Sequence, residues 1–365
     1  MDASKQRILK NLFAFLFSII GLIVFAQAPK YSNDFLTLGV HSRGLAMGGA
    51  MVAQSDDASS GFWNPAGLAR MKNYRQVSLM HAEYFSGIAN YDYLGFGFQV
   101  NEQSGGSINF IRLGIDNIPN TLALIEPSGN VNYNNITSFS ATDFAMLVGY
   151  GAKSYRGDWS FGGGAKIIRR RVGNFGGAWG FGADAGAQYQ DKYGRKFGVN
   201  LKDIGSTVNF WRYKNLDSLA FIFTTTGNAI PKSSTEITLP RLVVGGGYRW
   251  EVNDYLGVTG EMDWVITSDG KRNSLVSGKR FGMDPMAGLE VDYQETIFLR
   301  AGINQFQRNA LLNVSALAPK TTFSPNIGIG IKTRVFQLDY ALTNAGNQNS
   351  FFSHIISITV GLDPE

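Results

Sequence analysis

The side chains best placed to do chemistry are charged residues that recur on one parity of an alternating pattern: Asp184, Arg241, Arg249, Glu261, Asp263, Glu290, Asp292, Arg300, Lys332 and Asp339. Acids and bases are mixed among them. Enclosed together, such groups offset one another's desolvation, so they read as an ion-pair network, with an ion pathway as the minor alternative. Catalysis finds little support. The 3 histidines, His41, His81 and His354, stand far apart in the chain, and no nucleophile is spaced to meet them. There is no cysteine, which removes thiolate metal sites, thiol catalysis and disulfides together. Gly162-Gly163-Gly164 and Gly245-Gly246-Gly247 lie within strand patterns and so are not phosphate loops; they read as bends in a sheet. Asp56-Asp57 reads as a turn acceptor in preference to a cation site. No enzyme activity, metal or cofactor is expected.

Alternating charges need strands to hold them. From about residue 75 onward the chain alternates with period 2. Leu94, Phe96, Phe98 and Val100 interleave with Gly95, Gly97 and Gln99, while Trp179, Phe181, Ala183 and Ala185 interleave with Gly180, Gly182 and Asp184. One face suits lipid and the other water or packed polar groups. The segments fall near 75–84, 91–100, 106–115, 142–151, 157–170, 177–190, 195–204, 238–251, 255–267, 282–293, 296–306, 325–333, 334–344 and 351–362. That spacing predicts an all-β fold, an up-and-down antiparallel transmembrane barrel of about fourteen strands. Short connections such as Val252-Asn253-Asp254 and Gln294-Glu295 alternate with the long polar stretches 116–141, 205–237, 268–281 and 307–324. Short periplasmic turns and longer outer loops produce that alternation, and a soluble sandwich would not be expected to. Trp159, Trp179, Tyr189, Trp250, Tyr255 and Trp264 fall near strand ends, where an aromatic girdle belongs.

The beginning of the chain sets the compartment. Lys5, Arg7 and Lys10 precede an apolar run from Leu12 to Phe25 and the small-residue site Ala26-Gln27-Ala28. Residues 1–28 therefore read as a secretory signal peptide, cut after Ala28 or after Ala26, since the run is short of the roughly 20 residues a spanning helix needs. The predicted address is the bacterial outer membrane. The leader also carries much of the formal charge of +5, so no nucleic-acid surface is expected.

Residues 29–74 do not alternate and are rich in small side chains. Glycine and alanine at this density let backbone pack against walls, and Phe62 and Trp63 beside Asn64-Pro65 look buried. The segment reads as a hatch folded into the barrel 75–365. Its motif residues are Arg43, Gly44, Gly48, Gly49, Asp57, Asn64, Pro65, Ala66 and Gly67.

This order of parts resembles the FadL-type outer-membrane superfamily, in which a hatch with an Asn-Pro-Ala motif precedes a fourteen-stranded barrel. Within it, Ser42-Arg43-Gly44-Leu45-Ala46-Met47-Gly48-Gly49-Ala50, Trp63-Asn64-Pro65-Ala66-Gly67 and Arg112-Leu113-Gly114-Ile115-Asp116-Asn117-Ile118-Pro119-Asn120-Thr121 are similar to the PorV/PorQ family. The resemblance implies a role in type IX protein secretion, where a member of that family binds cargo. In the wider superfamily it implies uptake of hydrophobic small molecules through a tunnel gated by the hatch and opened sideways by a strand defect. The charged lumen, in which a greasy tunnel is hard to build, favours recognition over conduction. The expectation is a non-enzymatic barrel that binds a secretion translocon or secreted cargo, with outer-membrane lipid around it; the alternative is a FadL-like transporter that binds a hydrophobic ligand. Ile118, Pro119 and Asn120 in one long loop, and Phe210, Trp211 and Tyr213 in another beside Phe221 and Phe223, are the expected partner-binding residues.

Overall fold

Alternation of apolar and small or polar residues leaves no helical stripe after residue 75, and the chain pairs with itself strand by strand. The computed structural model describes residues 32–126, 128–214, 233–268, 274–309, 320–344 and 352–363. The expected signal peptide and the loop residues Phe221 and Phe223 lie outside them. The strands are β1 (Arg75–Tyr84), β2 (Ala89–Asn101), β3 (Ser104–Asn120), β4 (Thr137–Lys153), β5 (Trp159–Val172), β6 (Gly176–Gln190), β7 (Arg195–Lys202), β8 (Thr207–Tyr213) and β9 (Ser234–Thr238). They continue with β10 (Arg241–Glu251), β11 (Leu256–Thr267), β12 (Val276–Ser277), β13 (Gly282–Tyr293), β14 (Ile297–Asn309), β15 (Lys320–Lys332), β16 (Phe336–Thr343) and β17 (Ser353–Gly361).

All 17 belong to one sheet. The ring runs β1 to β7, then β10, β11, β13, β14, β15, β16 and β17, and β17 pairs back on β1 from Gly361↔Gln76 to His354↔Glu83. Setting aside β8, β9 and β12, the 17 strands leave 14 in a closed antiparallel barrel. Closure removes the free edges that would otherwise expose unpaired backbone to lipid. Each expected segment corresponds to one ring strand. Outward positions such as Leu79, Leu94, Phe110, Phe144, Ile167, Phe181, Met262, Leu299 and Ile329 are exposed and apolar, the face a bilayer requires. At the short-turn end, Trp159 packs 5.0 Å from Tyr189, Tyr248 4.8 Å from Trp250, and Tyr255 6.2 Å from Tyr293. Trp179 and Trp264 stand toward the opposite end.

Two expected loops are corrected. The stretch 205–237 contains the strands β8 and β9, a hairpin that pairs with the long-connection end of β6 above the short β7. Phe210, Trp211 and Tyr213 are therefore strand residues. Likewise β3 runs to Asn120, so Ile118, Pro119 and Asn120 pair with Phe139, Ser138 and Thr137. The register of β3 on β4 shifts between Ile115 and Ile118, with Asn117 at φ 57. Such a bulge interrupts period-2 alternation, which is the signal that defined the strands.

Residues 32–74 form two short helices, Ser42–Ala46 and Ser60–Trp63, and two 3-10 turns, Asp34–Thr37 and Pro65–Arg70. They make up much of the buried apolar core, including Val40, Leu45, Ala46, Met47, Phe62 and Leu68.

Candidate functional site

The N-terminal segment is shaped by its own sequence before it meets the wall. The Ser42–Ala46 helix ends because Gly48 and Gly49 take φ 66 and 83, the left-handed region open to glycine. At Gly48 an added Cβ would also lie 2.9 Å from the Ile303 backbone. Asn64 caps the next turn, its Oδ1 accepting from Ala66 N at 3.2 Å, and Pro65 fills the first position, where no N–H is needed. Asp57 accepts from Ser59 N at 2.8 Å, the turn role expected of it.

Strands β3 to β7 meet the segment with glycine. A Cβ on Gly105, Gly151, Gly162, Gly186 or Gly198 would overlap Leu68, Pro65, Ala66, Asn64 or Val52. The expected bend at Gly162 is thus a close approach of two backbones. Asn64 Nδ2 donates to Val52 O at 2.8 Å and to Ala187 O at 3.2 Å, and Asn200 Nδ2 donates to Trp63 O at 2.7 Å.

Strands β11 to β17 meet the segment with glycine too, since a Cβ on Gly288 or Gly302 would overlap the backbone at Met47 and one on Gly328 would meet Ala46, and they add charge. Asp263 Oδ2 accepts from Met51 N at 2.9 Å and Val52 N at 3.0 Å, and Glu261 Oε1 accepts from Ala53 N at 2.7 Å. Arg43 donates to both oxygens of Glu290, at 3.0 and 3.1 Å. Glu290 also accepts from Arg300 at 2.5 Å, and Arg300 reaches Asp339 at 2.6 Å. His41 Nε2 sits 2.9 Å from Thr359 Oγ1 and 4.0 Å from Asp339.

The charged residues expected in the lumen all face inward, in several groups. Glu290, Arg300 and Asp339 form one chain with Arg43, and Glu261 and Asp263 lie side by side at the segment's backbone. Arg249 pairs with Asp292 at 2.6 Å. Asp184 joins Arg241 only through Lys166 and Asp203: Lys166 lies 2.8 Å from Asp184 and 2.7 Å from Asp203, which lies 3.1 Å from Arg241. Lys332 lines a polar vestibule of about 300 Å³ at the short-turn end, with Asp56, Lys72, Lys196 and Arg249. Burial alone would raise the Asp56 carboxyl, but Lys196, Arg43, Lys72 and Lys332 together hold it below its usual value. Sequence reasoning missed Lys166, Asp203 and Lys202. Lys166 was legible from its inward parity on β5. Asp203 stands in a turn at φ 60, where alternation has ended.

The outer loop residues separate as well. Trp211 and Tyr213 stack at 5.9 Å and face inward, with Trp211 Nε1 donating to Glu236 at 2.9 Å. Phe210 faces outward and is exposed.

Above the segment, toward the long connections, lies a second cavity of about 300 Å³. Leu36, Leu38, Leu45, Phe62, Trp63, Val243, Val265 and Met286 line it, with Lys202, Arg241 and Asp284 among them. Lys202 Nζ stands 4.2 Å over the Phe62 ring, a cation–π contact that leaves the ring's apolar body in the wall. A continuous greasy tunnel is expected to be hard to build among the lumen charges, and this cavity is a mixed compartment in which the apolar residues share the lining with Asp34 and Asp263 as well. The segment engages Glu261, Asp263 and Glu290 with its own N–H groups and Arg43, and it presents its apolar side chains to the space beyond.

No known protein family matches the chain, and neither does any curated protein sequence. Among solved structures it is similar to the CymD monoaromatic hydrocarbon channel, at 14% identity and TM-score 0.58 over 90% of this chain and 98% of that one. It is also similar to the Ralstonia pickettii toluene transporter TbuX, at 14% identity and TM-score 0.54 over 89% and 98%. A Pseudomonas aeruginosa FadL homologue aligns at 12% identity and TM-score 0.51 over 88% and 98%. These likenesses overturn the expectation of a cargo-binding component of type IX secretion, because they place the chain's architecture among channels and transporters for hydrophobic small molecules. In fold and location, this is a bacterial outer-membrane barrel similar to those of the FadL type.

Proposed function

We propose that the chain is a non-enzymatic channel that admits hydrophobic small molecules through the outer membrane. The observation that carries this reading is the apolar cavity between the N-terminal segment and the wall, whose volume of about 300 Å³ suits a small ligand. On this reading residues 32–74 act as a hatch. They separate the apolar compartment at the long-connection end from the polar vestibule at the other. The PorV/PorQ-like phrases, Ser42 to Ala50 and Trp63 to Gly67, serve the packing of that hatch.

The vestibule is a poor path for an apolar molecule, because it is lined by Arg43, Asp56, Lys196, Arg249, Glu290 and Lys332. A sideways path is better supported. The register of β14 on β15 shifts between Asn304 and Gln307, and Asn304 and Gln305 line the apolar cavity. Ladder bonds are interrupted at such a bulge, so the wall is weakest beside the bound molecule.

The test is uptake of radiolabelled toluene by whole cells, whose intact outer leaflet is the barrier. Val243→Trp fills the cavity from the wall and is expected to lower uptake to that of cells lacking the barrel. Uptake by Val243→Trp cells equal to wild type, or wild-type cells no faster than cells lacking the barrel, would overturn the proposal.

A further inference from the structure

The outward face of the sheet carries a group of cations that the ion pairs of the lumen do not explain. On β5, inward Lys166, Ile168 and Arg170 alternate with outward Ile167, Arg169 and Arg171. Arg171 is paired in register with Gly177 on β6, and Gly177 with Arg212 on β8. The two arginines thus flank a residue with no side chain, at two strand spacings or roughly 10 Å. Arg169 enters from one step below. Its Nη1 and Nη2 lie 3.0 and 3.3 Å from where a Cβ on Gly177 would be. Its Nη1 donates to Ala178 O at 3.1 Å, and its guanidinium lies 5.0 Å over the Trp179 ring. Three guanidinium groups therefore surround one bare stretch of backbone.

Among the described residues none of the three has an ion pair. A neighbouring cation shows the alternative. Arg112, outward on β3, donates to Asp92 Oδ2 at 2.9 Å, and Asp92 is shared with His81 at 2.7 Å. Like charges set opposite one another in a sheet are unfavourable, so Arg169, Arg171 and Arg212 lower their energy by taking an anion from outside.

Position names the anion. The rows toward the bilayer turn apolar: Arg169 stands in register with Trp179 and Phe210, and the next row is Ile167, Phe181 and Val208. Trp179, Phe181 and Phe210 are all exposed. Beside them an outward apolar groove of about 740 Å³ runs along β1 to β6, lined by Leu94, Phe110, Phe144, Ile167, Arg169 and Trp179. An occupant must therefore put a phosphate or similar anion among the arginines and hydrocarbon along the groove.

We propose that this face binds a phosphorylated, multiply acylated lipid of the outer leaflet, with its phosphate held by Arg169, Arg171 and Arg212. Guanidinium groups grip phosphate oxygens in pairs, and each basic side chain at a membrane surface strengthens attraction to anionic lipid. The site rests on the barrel's place in the outer membrane and is independent of the transport proposal.

The experiment is native mass spectrometry of the full barrel in detergent, titrated with bis-phosphorylated lipid A, with the same lipid after enzymatic removal of both phosphates, and with inorganic phosphate alone. Wild type is expected to retain the phosphorylated lipid and to lose it on dephosphorylation. The triple variant R169Q/R171Q/R212Q is expected to weaken retention on the order of a hundredfold, about fivefold per arginine. Arg195→Gln, which removes an exposed cation already paired with Asp191 at 2.6 Å at the short-turn end, away from the groove, is expected to leave retention unchanged. Equal retention of the dephosphorylated lipid overturns the proposal, as does a folded triple variant that binds like wild type, or inorganic phosphate alone bound as tightly as the lipid. Should the triple variant fail to fold, the phosphate dependence of the wild-type protein still decides.

Discussion

Where residues 52–69 face β3 to β7, glycines in the wall bring backbone against backbone. Where residues 41–53 face β11 to β17, the close glycines Gly288, Gly302 and Gly328 are joined by buried carboxylates and arginines that meet the same segment. Both contacts are buried and both hold one short stretch of chain, yet they constrain it differently. The glycine wall works by exclusion: every side chain that could be added collides, so the segment has one position or none. Its energy is dispersion and hydrogen bonds from neutral side-chain amides such as Asn64 and Asn200 to backbone carbonyls, which salt and pH scarcely touch. The charged wall works by satisfaction. Met51, Val52 and Ala53 bury N–H groups that only Asp263 and Glu261 accept, and Arg43 buries a charge that Glu290 answers. Hydrogen bonds to charged groups contribute about 1.5–3 kcal/mol each, and they can be lost one at a time. Movement of the segment is expected to begin with loss of its bonds to Asp263, Glu261 and Glu290.

The largest effect is expected from adding bulk to the glycine side. Gly162→Leu drives a side chain into the backbone of Pro65 and Ala66, neither of which can move aside as a flexible side-chain tip could. The cost exceeds the roughly 1–3 kcal/mol of ordinary overpacking, because backbone must shift. Loss of the heat-modifiable folded band on gels is the expected outcome. Gly163→Leu, one residue along the same strand, points outward, with its nearest neighbour 3.7 Å away, and should fold normally. If both variants fold alike, the segment does not depend on that wall.

On the charged side the expected effect is smaller and different in kind. Glu290→Gln leaves Arg43 and Arg300 facing a neutral amide, but Arg43 keeps Asp56 at 3.4 Å and Arg300 keeps Asp339 at 2.6 Å, so the cost falls below the roughly 3–5 kcal/mol of a fully unpaired buried charge. A barrel held by its own closed sheet can bear that locally, so the strands should persist and the segment should loosen. Protease cleavage between residues 41 and 60 should rise in Glu290→Gln while the folded band is unchanged. A variant that loses the folded band instead would mean that the charged wall supports the barrel as well as the segment.

The unequal legibility of the two walls follows from the same physics. Period-2 alternation marks the ring strands because outward residues within the bilayer span are mostly apolar, and it places Glu290, Arg300 and Asp339 inward for the same reason. It could not record what faces them. Arg43 meets Glu290 across 247 positions of sequence, and nothing local to either marks the other. The charges therefore read as filling for an empty lumen, although Glu290, Glu261 and Asp263 face the N-terminal segment. The glycines were visible, yet a glycine that bends a strand and a glycine that admits a second backbone look identical in one sequence. Phe210, Trp211 and Tyr213 read from sequence as loop aromatics, because β8 pairs with the far end of β6 and breaks the simple meander.

The smallest expected effect concerns one imidazole on the charged wall. His41 stands just before the Ser42–Ala46 helix, and its Nδ1 accepts from Arg43 N at 3.3 Å. That bond requires an unprotonated Nδ1, which leaves Nε2–H to donate to Thr359 Oγ1. Burial pushes the His41 pKa below its ordinary 6.5, as do Arg300 and Arg43, while Asp339 and Asp57 pull the other way without restoring it. A released segment therefore takes up a proton more readily than a docked one, so docking is at full strength above about pH 6.5 and weakens as pH falls below it. The slope cannot exceed about 1.4 kcal/mol per pH unit for one group. Amide hydrogen exchange at Leu45 and Met47, corrected for its intrinsic pH dependence, should show protection falling between pH 7.5 and 5.5 in wild type. His41→Gln keeps a donor for Thr359 and an acceptor for Arg43 without titrating, so its protection should stay flat by comparison. Glu261 and Asp263 are present in both proteins, and any titration of theirs cancels in the ratio. An identical decline in the two proteins would remove His41 from the latch and leave its acid sensitivity, if any, to the carboxylates alone.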